Sequence, residues 1–124
     1  GIGFSKTPEQ NLEILERLQE FEQLGRPILI GPSRKSFIGA VTKQAPDKRL
    51  MGTVAACIMS LERGAKIFRV HDVWAIKEAL QVSEAILNQK PSVIANEAKQ
   101  SKRLLRPQND APRNDDKRRK VFSS

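Results

Sequence analysis

Cationic side chains follow two short apolar runs of this 124-residue sequence. The run Pro27–Ile30 is followed by Arg34 and Lys35, and a later run carries Arg69 and His71 at its end. Each run is typical of a buried strand, and residues two apart on a strand share one face, so Arg69 and His71 point the same way. Ligands in α/β proteins bind outside the carboxyl ends of strands. The pattern therefore predicts a receptor for an anionic ligand.

The elements that must carry these side chains alternate along the chain. The sequence predicts helices over residues 7–24, 53–63 and 72–88, strands over 27–30 and 66–70, and a long exposed loop over 40–51. Alternation of helices and strands predicts parallel strand pairing. Both strands are largely apolar runs rather than alternating ones, and such runs favour a sheet that is covered on both faces.

Helix ends are marked by their usual residues. Thr7 and Gln10 have the spacing of a capping box, and Gly25 is placed to end the first helix in a left-handed conformation. Asp72 is expected to cap the third helix. The second helix is small and apolar, so we expect it to be buried around much of its circumference.

Composition excludes several classes of protein. There is one cysteine, Cys57, which rules out an internal disulfide and fits a reducing, cytoplasmic compartment. Cys57 lies in an apolar helix, so we expect a buried structural thiol rather than a nucleophile. Cysteine and histidine are too few for a zinc site. The sequence has no apolar run of about 18 residues, so we expect no membrane span and no membrane partner.

The net charge of +8 is concentrated near the carboxyl end. Residues 1–87 have a net charge of +2, whereas residues 88–124 have +6. The run Lys117–Lys120 could bind nucleic acid, but a solvated, disordered tail is the favoured interpretation because the segment is polar and contains prolines. We therefore divide the chain into a folded domain over residues 1–88 and an unrelated basic tail over 89–124.

Four segments together resemble the carboxyl-terminal third of dihydropteroate synthase, in that family's order and spacing. They are Gly1–Phe4, Gly31–Gly39, Arg49–Thr53 and Arg69–Val73. The resemblance covers residues 1–88 and implies an α/β fold, namely the last two strands and last three helices of a (β/α)8 TIM barrel. A complete barrel needs about 250 residues. We therefore expect a fragment that begins after strand six, is marginally stable and is inactive alone.

The resemblance also implies the reaction and its residues. The family is a transferase of folate biosynthesis that joins 6-hydroxymethyl-7,8-dihydropterin diphosphate to para-aminobenzoate and releases pyrophosphate. Lys35, Arg69 and His71 are the catalytic residues so implied, with Lys35 on the pterin and the other two on the diphosphate. Phe4 and Ser33 would border the aminobenzoate pocket, and Arg34 would pack near the pterin. The implied substrate-binding set is Phe4, Ser33, Arg34, Lys35, Arg69 and His71.

Further implications concern the metal, the assembly and the alternatives. The resemblance implies Mg²⁺ on the diphosphate, held near the first strand and therefore by no residue of this chain, and a homodimer for the complete enzyme. Two other interpretations stay open. One is a remnant of a disrupted gene with no activity, and the other is a nucleic-acid-binding module that acts through the basic tail.

Overall fold

The structure is a computed structural model and describes residues 1–89. The predicted basic tail, its disorder and its nucleic-acid contact through Lys117–Lys120 lie outside the described residues. Within residues 1–89 no helix has the length and apolar character needed to cross a membrane.

Helices and strands alternate as predicted. In chain order they are α1 (Pro8–Glu16), a 3₁₀-helix (Leu18–Leu24), β1 (Ile28–Ile30), α2 (Ser36–Thr42), a second 3₁₀-helix (Pro46–Lys48), α3 (Leu50–Glu62), β2 (Ala65–Phe68) and α4 (Val73–Leu87). The two strands pair in parallel, with Ile30 opposite Phe68, which confirms the predicted pairing. The carboxyl ends of both strands therefore lie at the same edge of the sheet.

The first helix begins as predicted and ends earlier. The Thr7 hydroxyl accepts the Gln10 N–H, and the Gln10 side chain accepts the Thr7 N–H, so the capping box is confirmed. The α-helix stops at Glu16 and a 3₁₀-helix continues to Leu24. Residues 19–24 are all exposed, so no packing holds them in an α-helix. Gly25 ends the 3₁₀-helix at φ 65°, as predicted.

The region of residues 40–51 is largely exposed as predicted, but the prediction that it is a loop is wrong. This region contains the end of α2, a 3₁₀-helix and the start of α3. α2 forms because Phe37 and Ile38, each 3% exposed, pack into the core, and Thr42 donates a hydrogen bond to the Ile38 carbonyl. Because the neighbouring residues are mostly polar, the sequence shows no clear pattern for this short amphipathic helix.

The core lies between the helices and one face of the sheet. It is formed by Ile2, Leu15, Leu18, Ile30, Phe37, Ile38 and Ala65. The other sheet face is open among the described residues: Leu29 and Ile67, which are paired across the strands, are 58% and 49% exposed. The prediction of a sheet covered on both faces is therefore wrong for residues 1–89.

The prediction that α3 is buried around much of its circumference is also wrong for residues 1–89. Only Thr53, Cys57 and Ser60 are buried on this helix, while Met51 and Met59 are exposed. The described residues pack against one side of α3, so its apolar composition overstates its burial.

Candidate functional site

Two chain segments run side by side at the strand ends, and we call them the seam. They are residues 30–34, which begin with the last residue of β1, and residues 69–72, which follow β2. The Arg69 N–H donates to the Ile30 carbonyl at 2.9 Å, which extends the parallel pairing by one residue. Gly31 lies close beneath Arg69, because a Cβ at position 31 would stand 3.9 Å from the Arg69 Cβ. The seam therefore holds Arg34, Arg69 and His71 at one edge of the sheet, and Lys35 follows it directly in sequence.

An ion pair closes the far end of the seam. Arg34 donates from Nη2 to Asp72 Oδ1 at 2.8 Å and from Nε to Oδ2 at 3.2 Å, a bidentate arrangement. These hydrogen bonds, and then the charge of the carboxylate, raise the pKa of Arg34. The Asp72 side chain makes no cap hydrogen bond to α4, so the predicted capping role is wrong. The Asp72 carboxylate instead joins the two loops, because it accepts two hydrogen bonds from the Arg34 guanidinium group, whereas a cap would supply one from a backbone N–H of α4.

The ion pair provides a direct test of the seam. We expect Arg34→Ala and Asp72→Ala each to lower the urea midpoint of the 124-residue chain by a few tenths of a molar at most, because both side chains are partly exposed. The urea midpoint of the double variant should be no lower than that of the less stable single variant, because both changes break the same ion pair. Urea titrations followed by circular dichroism measure this. Additive losses would show that the pair does not join the loops.

The backbone of Arg34 is tied at both of its polar groups. Arg34 has φ 57°, a left-handed conformation that is uncommon for a residue with a side chain. Its N–H donates to the buried Thr53 hydroxyl at 3.0 Å, and its carbonyl accepts from Arg49 Nη1 at 3.0 Å. A Cβ at Gly39 would stand 2.6 Å from the Arg49 Cζ, so glycine at this position makes room for the guanidinium. The start of α3 therefore holds the loop that carries Lys35.

A serine and a histidine meet inside the seam. Ser33 is 5% exposed, and its hydroxyl accepts the backbone N–H of His71 at 3.1 Å. The same oxygen lies 2.8 Å from Nδ1 of the His71 ring. His71 itself is exposed, so Ser33 fixes the ring from behind while the other side of the ring faces outward.

Lys35 lies against the first residues of the chain. Its ammonium is 4.6 Å from the centroid of the Phe4 ring, a cation–π contact. Asn11, fully buried, accepts the Gly3 N–H at 2.7 Å and donates to the Thr7 carbonyl at 2.9 Å, and so anchors this turn. Phe4 is 67% exposed, so this contact does not bury the residue.

The structure thus gathers the six predicted site residues in two groups. Ser33, Arg34 and His71 belong to the seam together with Arg69, whose side chain is exposed, while Lys35 and Phe4 form a neighbouring pair. Guanidinium, ammonium and imidazole groups suit phosphate oxygens, and an aromatic ring suits a flat heterocycle. Convergence of these groups on one ligand, and their individual roles, remain predictions.

Cys57 takes no part in this arrangement. It is 1% exposed in α3, and burial raises the pKa of its thiol to about 11. A thiol in this environment stays protonated near neutral pH and is a poor nucleophile. The structural assignment made from the sequence agrees with this position.

Three positioning residues were assigned no individual role from the sequence, namely Asn11, Arg49 and Thr53, although Arg49–Thr53 is one of the four segments of the resemblance. Asn11 could have been noticed, because it stands four and seven residues before Leu15 and Leu18 on the buried face of a helix. A polar residue at a core position needs partners for its hydrogen bonds. Arg49 and Thr53 offer no such signal, since their partners lie 15 and 19 residues away.

Comparisons with known proteins agree with this geometry. Residues 1–71 match the family described as pterin binding enzyme. The dihydropteroate synthase of Synechocystis is 49% identical over 87 residues, covering 69% of this chain and 30% of the relative. That of Haemophilus influenzae is 46% identical over 88 residues, covering 71% and 32%. The chain therefore spans about a third of the length of these relatives.

Solved structures show the same similarity. A Clostridium difficile dihydropteroate synthase, determined in the presence of pteroic acid, is 47% identical with a TM-score of 0.69 and covers 72% of this chain and 34% of its own. The Xanthomonas albilineans enzyme in complex with 7,8-dihydropteroate is 41% identical with a TM-score of 0.70, covering 73% and 36%. These enzymes are TIM barrels, so the predicted fold class, part of such a barrel, is confirmed.

Proposed function

Because this chain belongs to the pterin binding enzyme family, with dihydropteroate synthases as its relatives, we propose that residues 1–89 form one side of a dihydropteroate synthase active site. The reaction would condense 6-hydroxymethyl-7,8-dihydropterin diphosphate with para-aminobenzoate to give dihydropteroate and pyrophosphate. The observation that carries the proposal is the seam, which sets cationic side chains from two adjacent parallel strands at one edge of the sheet.

The proposed chemistry is a substitution at the methylene carbon of the pterin. The amine of para-aminobenzoate forms the new C–N bond while the C–O bond breaks, pyrophosphate leaves with the electron pair, and the amine proton passes to solvent. Arg69 and His71 would bind the diphosphate and stabilise the negative charge that develops on it. An aromatic amine is already a nucleophile, so catalysis would rest on orientation and on the leaving group.

The remaining residues would hold the two substrates. Lys35 would donate to the pterin and Arg34 would pack near it, while Phe4 and Ser33 would border the aminobenzoate pocket. The position of the exposed Phe4 ring beside the Lys35 ammonium supports a shared boundary between the two subsites.

The Mg²⁺ that the resemblance implies does not fit the described residues. No three His, Cys, Asp or Glu side chains cluster among residues 1–89, and both carboxylate oxygens of Asp72 at the seam are bonded to Arg34. We therefore derive no step through a metal. If Mg²⁺ assists the reaction, residues other than these must hold it.

Compartment and assembly are also proposals. A single cysteine suits the reducing cytoplasm, where we place this chain. For the complete enzyme we propose a homodimer.

A chimera tests the proposed function. Residues 1–89 would replace the corresponding segment of the Escherichia coli dihydropteroate synthase, which is 43% identical over 90 residues. We expect the chimera to form dihydropteroate from the two substrates, because these residues would complete its barrel and active site. The control is the Escherichia coli enzyme without that segment, which should be inactive. A folded chimera with no turnover would refute the proposal.

The 124-residue chain by itself should show no turnover. Its described residues contain two strands of a sheet whose second face is open, and both strands have unpaired edges. Measurable product formation by the purified chain would contradict this expectation. Turnover by the chimera would show that residues 1–89 retain the structure and the side chains that the active site needs.

A further inference from the structure

From the contacts of Ser33 we infer that this residue sets the tautomer of His71, so that the exposed ring nitrogen, Nε2, carries the hydrogen. Ser33 is thus a positioning residue that acts through the histidine. Ser33 is 5% exposed, and both hydrogen-bond partners of its hydroxyl belong to His71. Its consequence for the diphosphate rests on the proposed function.

The argument begins with the hydrogen-bond inventory of a hydroxyl. A serine hydroxyl has one hydrogen to donate and two lone pairs that accept. One lone pair of Ser33 Oγ is used by the backbone N–H of His71 at 3.1 Å. The remaining partner of this oxygen among the described residues is Nδ1 of the same histidine, at 2.8 Å.

The direction of the second bond follows from this inventory. If Nδ1 carried the hydrogen, the Ser33 hydroxyl would accept twice, and its own hydrogen would be left inside the protein without an acceptor. An unsatisfied buried donor is costly, and Ser33 is 5% exposed, so the arrangement in which its hydroxyl hydrogen has an acceptor is favoured. Ser33 therefore donates to Nδ1, which must then be the unprotonated nitrogen of the neutral ring.

The other nitrogen gains a defined role. With Nδ1 as acceptor, a neutral imidazole carries its hydrogen on Nε2, and His71 is exposed. Nε2 therefore offers an N–H to solvent or to a ligand oxygen. The opposite tautomer would present a lone pair to the same place, and a lone pair repels an anionic oxygen. Ser33 thus keeps the neutral His71 ring in one of its two tautomers, the one that can donate a hydrogen bond from Nε2 beside Arg69.

The surrounding seam keeps this geometry in place. The Ile30 carbonyl receives the Arg69 N–H, and Arg34 is bonded to Asp72, so the Ser33–His71 pair lies between two other links of the same two segments. Both the ring and the backbone of His71 are held by one oxygen. A rotation of the ring would break the bond to Nδ1 while the backbone link remained.

Nitrogen NMR of the 124-residue chain tests the inference, because His71 is its single histidine. The chain would be labelled with ¹⁵N-histidine and measured without ligand at about pH 8.5, where a free imidazole is neutral. The two ring nitrogens then resonate far apart, and their couplings to the ring carbon protons identify each one. We expect the hydrogen on Nε2 in the wild type. A hydrogen on Nδ1 would overturn the inference without any variant.

Three variants define the part played by the hydroxyl. Ser33→Ala should give averaged ring shifts from two tautomers, and Ser33→Thr, which retains a hydroxyl, should restore the wild-type pattern. Ser36→Ala, which removes an exposed hydroxyl three residues along the chain, should leave the pattern unchanged. A Ser33→Ala spectrum identical to that of the wild type would show that the serine does not select the tautomer.

A titration with inorganic pyrophosphate separates this inference from the proposed function. If both hold, Ser33→Ala introduced into the chimera should weaken pyrophosphate binding by roughly twofold to fivefold, because the ligand must then select the Nε2–H form from two tautomers. If the parent chimera binds no pyrophosphate, the proposed binding of the leaving group is wrong, while the NMR result still decides the tautomer.

Discussion

Arg69→Ala should reduce kcat/KM of the chimera for the pterin diphosphate by roughly 10²–10³-fold, the cost typical of removing one preorganised donor from a developing anion. Arg69 lies at the carboxyl end of β2, its backbone is fixed by the Ile30 carbonyl, and its side chain is exposed. A guanidinium in this position offers a planar fork of donors that phosphate oxygens accept in pairs. Steady-state kinetics with varied diphosphate substrate measure the loss.

Two control variants separate this effect from a structural one. Arg69→Lys keeps the charge but removes the fork, so it should recover part of the loss. Arg26→Ala removes an exposed arginine that precedes β1, at the other end of the sheet, and should change kcat/KM by less than about twofold. An Arg69→Ala enzyme with kcat/KM near that of the parent chimera would exclude Arg69 from binding the leaving group.

Asn11→Ala should lower the free energy of unfolding of the chimera by about 2–3 kcal/mol, since an unsatisfied buried donor and a small cavity add their costs. Asn11 is fully buried in α1 and holds the turn of residues 1–7 through its bonds to Gly3 and Thr7. Without the amide oxygen, the Gly3 N–H loses its acceptor. Urea unfolding followed by circular dichroism measures the change.

The same variant should also affect the candidate site. Phe4 follows Gly3 in the anchored turn, and its ring contacts the Lys35 ammonium. We therefore expect Asn11→Ala to raise KM for para-aminobenzoate in addition to its effect on stability. Gln19→Ala is the matched control, because it removes an exposed amide of the following 3₁₀-helix and should cost less than about 0.5 kcal/mol. Equal losses from both variants would show that the Asn11 anchor contributes nothing.

Local features of the fold were predictable because their partners are close in sequence. The capping box of Thr7 and Gln10 joins residues three apart, and Gly25 needs only its own backbone freedom. α2 was missed for a related reason. Phe37 and Ile38 are two apolar residues in a polar stretch, and only the core against which they pack makes a helix of them. Seven residues are too few for a clear helical period.

The sequence by itself determined which side chains stand at the strand ends. Strand periodicity and the parallel order of the elements were enough to predict that Arg34, Lys35, Arg69 and His71 follow the strands at one edge of the sheet. The similarity to dihydropteroate synthases then supplied the proposed chemistry, which no composition or spacing could have specified.

Only the tertiary structure decided which polar groups meet. Ser33 and His71 are 38 residues apart, as are Arg34 and Asp72, and periodicity says nothing about contacts at such a separation. Asp72 shows the difference clearly, because its position before α4 predicts a cap whereas its carboxylate bonds to Arg34. Once packing brings two loops together, a charged bidentate pair is stronger than a single bond to a backbone N–H, and the local preference gives way.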